Sequence, residues 1–102
     1  MNFAYFPEHA SAVHCDEGFD VIFTGRFELV YREGDRQMSL YCEDGRQPSG
    51  EHVVMVGTAG LKAWLPPFAK ESISAEKQAQ IRSRVIAAVE FMGSNCEFTF
   101  PV

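Results

Sequence analysis

Four consecutive residues, His14, Cys15, Asp16 and Glu17, place an imidazole, a thiol and two carboxylates side by side. These are the side chains that covalent catalysis and metal binding draw on. A thiol needs a neighbouring base to become a nucleophile, and a zinc-type ion needs three or four donors around one point. Adjacent residues of a strand or loop point in different directions, so a contiguous run of four does not by itself converge on one substrate atom or one ion. No second His–Cys pair stands at ligand spacing, and His9 and His52 have no partner that the sequence identifies. The run therefore reads as a surface loop, with no metal and no cofactor expected. Chemistry at His14 and Cys15 is the enzymatic alternative, in a small cytoplasmic enzyme or ligand-binding domain. Other catalytic patterns are missing: "GTAG" from Gly57 to Gly60 lacks the Gly-Lys-Ser/Thr of a phosphate cradle and reads as a turn, and neither G-x-S-x-G nor H-E-x-x-H occurs.

Charge narrows the partners. The 102 residues carry a formal net charge of −5, whereas affinity won by neutralising phosphates needs clustered Lys and Arg, so nucleic acid is not expected as a partner. An acidic surface instead speeds encounter with a basic protein. Asp16, Glu17 and Asp20 cluster near one loop, and Glu43, Asp44 and Glu51 flank another; these six are the expected contact residues for such a partner. The opening "MNFAYFPEHASAVHC" has neither a basic n-region nor an apolar run, which points to a cytoplasmic protein without a membrane span. Three widely spaced cysteines suit reduced thiols in that compartment better than a disulfide framework.

The elements that must position these residues read as one domain, 1–102, with 46% hydrophobic residues to fill its core. "NFAYF" is a weak strand ending at Pro7, and "FDVIFT" from Phe19 to Thr24 a better one. "RFELVY" places Phe27, Leu29 and Tyr31 on one face, and Gly34 with Asp35 permits a tight turn into "QMSLYCE", so that Glu33 faces Arg36 in a hairpin from Arg26 to Glu43. "HVVMVG" is the next strand of the meander. Pro66 and Pro67 forbid a helix there and leave Trp64 and Leu65 extended. Trp64 reads as a corner post that fixes the following helix on the sheet; an aromatic groove for a peptide is the other reading. That helix begins at its N-cap Ser74 and stops at Gly93, with Ile81, Val85, Ala88, Val89 and Met92 as its buried stripe and Lys77, Arg82, Arg84 and Glu90 left in water. "CEFTFPV" supplies a short final strand. The expected fold is α+β: an antiparallel meander of four to six strands with one C-terminal helix on one face.

Two stretches, "YREGDRQMSL" and "AWLPPFAKESISAEKQAQIRSRVIAAVEFMG", resemble immunity proteins of bacterial polymorphic-toxin and contact-dependent inhibition systems, and among them the family catalogued as immunity protein seventy-four. The resemblance lies in E-G-x-R at Glu33–Arg36, W-x-P-P at Trp64–Pro67, the Ile73-Ser74 helix start and F-x-G at Phe91–Gly93, over the C-terminal two thirds of the chain. It implies a non-enzymatic protein, a monomer or weak homodimer, that binds a cognate toxin and blocks it. The matched positions are fold determinants and carry no catalytic or toxin-contact residues with them; residues up to Gly25 lie outside the resemblance. A subunit that self-associates through an exposed strand is the remaining structural alternative.

Overall fold

Alternation of apolar and polar side chains folds the first half of the chain into a meander. Strands β1 (Phe3–Tyr5), β2 (Ala12–Cys15), β3 (Phe19–Gly25), β4 (Glu28–Glu33), β5 (Arg36–Arg46) and β6 (His52–Gly57) each pair antiparallel with the next. A 3₁₀ turn (Ala59–Lys62), the helix α1 (Ala75–Phe91) and β7 (Asn95–Phe100) complete the chain. The computed structural model describes residues 1–102, the side chain of Phe100 excepted. The sheet has seven strands in chain order and curls into a half-barrel around the helix.

Two features depart from a purely antiparallel meander of four to six strands. Beside the expected β1, the N-terminal region supplies a second short strand, β2, too brief to show a period, and His14 and Cys15 end that strand rather than lie in a surface loop. The last strand is parallel to β6, with Val54 opposite Cys96 and Val56 opposite Phe98. The 17 residues of α1 span about 25 Å at 1.5 Å per residue, enough to carry the chain back along the roughly 20 Å of a six-residue strand. A strand that follows such a return runs in the direction of the one before it.

The concave face holds the core: Val13, Phe19, Val21, Leu29, Tyr31, Met38, Leu40 and Val56 are at most 1% exposed and meet Ile81, Val85, Ala88 and Val89 of α1. The helix is closed at both ends by the residues its sequence offers. Ser74 Oγ accepts the Lys77 N–H at 3.0 Å. At the other end Gly93 takes φ +100°, and the Gly93 and Ser94 N–H groups donate to the Glu90 and Val89 carbonyls, which satisfies carbonyls the helix leaves unpaired.

Trp64 is buried, 5% exposed, and stacks on Tyr31 at 6.3 Å, which stacks in turn on Phe19 at 5.7 Å. It is a post rather than the wall of a groove. The segment around it is tied to the β4–β5 hairpin, since Leu65 N–H donates to the Gln37 carbonyl at 2.7 Å and Arg36 forms a two-pronged pair with Glu71 at 2.8 and 2.7 Å. Gly60 is required where the 3₁₀ turn crosses β5: a Cβ there would meet the Ser39 carbonyl oxygen at 2.3 Å.

Two helix residues expected in water are instead engaged. Lys77 Nζ contacts both Glu33 oxygens at 2.7 and 2.8 Å, and Arg84, its side chain 13% exposed, donates to Glu33 at 3.0 Å and Tyr31 Oη at 2.9 Å. Both have long stems that lie along the core while the charged ends reach the carboxylate at the end of β4. Phe27 also departs from expectation. A register shift between Phe23 and Gly25 places it in the β3–β4 turn, 52% exposed, rather than beside Leu29 and Tyr31.

The three cysteines are free. Burial, reinforced by nearby carboxylates, pushes the Cys42 thiol up to about 11 and the Cys96 thiol up to about 12. Because the thiolate is the reactive form, the folded protein is expected to resist iodoacetamide at neutral pH at both positions and to take it up there once unfolded by urea. Mass spectrometry of the alkylated peptides reads this; fast labelling of Cys42 or Cys96 in the native protein would contradict the burial.

Candidate functional site

The tight β2–β3 turn does what a run of adjacent residues on a strand does not: it brings donor atoms of Cys15, Asp16 and Glu17 within 4.8 Å of one another. They are already in use. Asp16 accepts from the backbone N–H of Asn2 at 3.0 Å and from its side-chain amide at 2.9 Å, and these bonds hold the carboxyl below its ordinary value. Glu17 lies 3.5 Å from the N-terminal amine, and the Cys15 side chain is buried under the turn. His14 points to the convex face, where Nδ1 meets Asp20 at 2.6 Å. Strand alternation thus places the imidazole and the thiol on opposite faces of β2.

The six acidic residues fall in three places. Asp16 and Glu17 cap the end of the sheet that carries the β2–β3 and β4–β5 turns, while Asp44 and Glu51 stand at the opposite end, beside the β5–β6 loop. Glu51 accepts there from Asn95 at 3.2 Å. Asp20 lies on the convex face between His14 and Arg32 and pairs with the Arg32 guanidinium at 2.7 Å. Glu43 lies on that face too, two strands away.

Around Glu43 the convex face gathers a patch that sequence reading resolved only in part. Tyr41 accompanies Glu43 on β5 and its hydroxyl donates to the Glu43 carboxylate. Opposite Tyr41 on β4 is Glu28, whose two oxygens accept from Ser39 and Thr24, each at 2.5 Å. The two hydroxyls hold the Glu28 carboxyl below its ordinary value and fix its direction. Phe27 stacks on Tyr41 at 6.2 Å with an interplanar angle of 11°, and the Arg26 guanidinium lies 5.3 Å from the Phe27 centroid. Glu97 continues the patch across Met55. Two exposed rings framed by oriented carboxylates are suited to receive a lysine or arginine, which gains from both the ring faces and the charge.

A second constellation lies on the concave side, at the end of the sheet where α1 stops. His52, the first residue of β6, bridges Asp44 and Ser94: Nε2 is 2.9 Å from Asp44 Oδ1 and Nδ1 is 2.6 Å from Ser94 Oγ. One tautomer satisfies both contacts, with Nε2–H donating to the carboxylate and Nδ1 accepting from the hydroxyl. The three residues border a cleft of about 220 Å³ whose apolar wall is Phe23, Val54, Val89 and Met92. Sequence reading left His52 without a partner, because the Asp44 contact depends on the register of the β5–β6 hairpin and only the parallel return of β7 brings Ser94 there from 42 residues away.

No family model, curated protein or solved structure matches the chain.

Proposed function

We propose that the protein is an immunity protein, which binds a cognate, basic bacterial toxin by surface complementarity and neutralises it without catalysis. The supporting observation is the convex patch. Phe27 and Tyr41, 52% and 37% exposed, stack on each other on this face, and Glu28 and Glu43 beside them are held in place by hydroxyl groups. Carboxylates oriented before binding lose little freedom on contact, and exposed aromatics beside them supply the buried anchors that dominate interface energy. The net charge of −5 adds long-range attraction for a basic partner.

The test is co-expression with the protein encoded immediately upstream, read by co-purification and by rescue of growth. Given a complex, replacing Glu28 and Glu43 by lysine is expected to slow association on the order of tenfold at low salt and to flatten its salt dependence. The same change at Asp16 and Glu17, at the far end of the sheet, should have a much smaller effect. Stopped-flow binding separates the two; equal effects would mean steering by net charge alone, and no effect from either pair would remove the acidic interface.

A further inference from the structure

The Ser94–His52–Asp44 chain is not used by a convex binding surface, and it has the connectivity of a nucleophile, a general base and a carboxylate that orients the base. We infer that this cleft is an acyl-transfer site that hydrolyses small esters with short apolar acyl chains, an activity independent of toxin binding.

Four observations carry the inference. The hydroxyl-to-imidazole distance of 2.6 Å and the imidazole-to-carboxylate distance of 2.9 Å both lie within hydrogen-bond reach without rearrangement. Ser94 follows Gly93 in the turn between α1 and β7, so its side chain stands at the mouth of the cleft rather than inside the helix. The apolar wall of Phe23, Val54, Val89 and Met92 suits a chain of a few carbons in about 220 Å³. Ser11, the other hydroxyl in the lining, offers a donor for the carbonyl oxygen as it gains charge.

In the first step Ser94 Oγ attacks the ester carbonyl carbon while its proton passes to His52 Nδ1. The tetrahedral intermediate collapses, the bond to the leaving alkoxide breaks, and His52 returns the proton to that oxygen. Water then attacks the acyl-serine, giving its proton to His52; collapse breaks the acyl–Oγ bond, Oγ recovers the proton, and a carboxylic acid leaves. Asp44 is a positioning residue that holds the imidazole in one tautomer.

The experiment uses the full chain with two probes: p-nitrophenyl butyrate turnover, and labelling by a fluorophosphonate followed by peptide mass spectrometry. Phosphonylation is expected at Ser94, and Ser94→Ala should remove it and lower turnover at least tenfold. His52→Gln should do the same with the melting temperature checked beside it. Asp44→Asn should lower kcat and leave KM unchanged, which a purely structural role would not produce. Should a variant fail to fold, labelling of the wild-type chain decides alone. Wild-type turnover equal to that of Ser94→Ala, or no phosphonylation of Ser94, would overturn the inference, and neither result bears on the convex interface.

Discussion

Replacing Trp64 with alanine is expected to cost about 3–5 kcal/mol, the range for truncating a large buried aromatic, and to lower the melting temperature by on the order of 15–30 °C in a domain of this size. The expectation rests on its position. The indole is 5% exposed and ends a stack that runs through Tyr31 to Phe19, so its removal leaves a cavity against the Tyr31 ring rather than a surface dent. The backbone beside it is held by the Leu65–Gln37 bond, and Arg36 clamps the same segment through Glu71, so the loop cannot simply collapse inward. Leu65→Ala is the control: that side chain is 39% exposed, and its loss should cost less than about 1 kcal/mol. Thermal unfolding followed by circular dichroism measures both. A Trp64→Ala protein that melts with the wild type would return the segment to the reading of an open peptide groove.

The second large effect is expected at Glu33. Its carboxylate receives the Tyr31 hydroxyl at 2.5 Å, the Lys77 ammonium at 2.7 Å and Arg84 at 3.0 Å. Glu33→Ala would leave the buried phenol of Tyr31 without its acceptor and the nearly buried guanidinium of Arg84 without its counter-charge, with the Tyr31 oxygen still within its reach. Removing one partner of a fully buried pair costs about 3–5 kcal/mol; with the Glu33 side chain 27% exposed, solvent reduces this to roughly 2–3 kcal/mol. The cluster also makes stability depend on pH. Burial alone would raise the Glu33 carboxyl, but the Lys77 and Tyr31 hydrogen bonds and the charges of Lys77 and Arg84 outweigh it and hold the group below its ordinary 4.5. The unfolded chain then binds this proton more readily than the folded one. Its contribution is fully present above pH 4.5 and is lost as pH falls from there through the folded value. Urea unfolding at a series of pH values should show a shallower acid decline in Glu33→Gln than in the wild type. Parallel declines would show that the cluster contributes packing and no charge.

What the sequence made legible follows from how local each signal was. The hairpin around Gly34, the Ser74 cap and the Gly93 stop are decided by residues within a turn of each other, and all three stand as read. The seat of Trp64 followed from two prolines beside it. The parallel β6–β7 pairing was hidden because its cause is the length of an intervening helix rather than any pattern in "CEFTFPV". Arg84 and Lys77 were misplaced because a helical wheel sorts side chains by polarity, whereas a carboxylate delivered by β4 made two cations part of the helix–sheet junction. The candidate site divided in the same way. Glu43 could be singled out by charge, whereas the places of Glu28 and Phe27 beside it depend on register and on a bulge, and that of Ser94 on the crossover.

The order of the sheet also bears on how the chain assembles. Since six strands lie side by side in the order they occur along the chain, most of the sheet can close by successive short-range hairpins, each paying little loop entropy. The β6–β7 pairing is different, because it must wait for a long connection and for the helix within it to dock. Contacts made by β7 and by the last turn of α1 therefore belong to the late side of the folding barrier. Weakening them should speed unfolding while leaving the folding rate almost untouched. The Val89, Met92 and Ser94 side of the cleft belongs to those late contacts, so that side is expected to open before the meander does and to form after it.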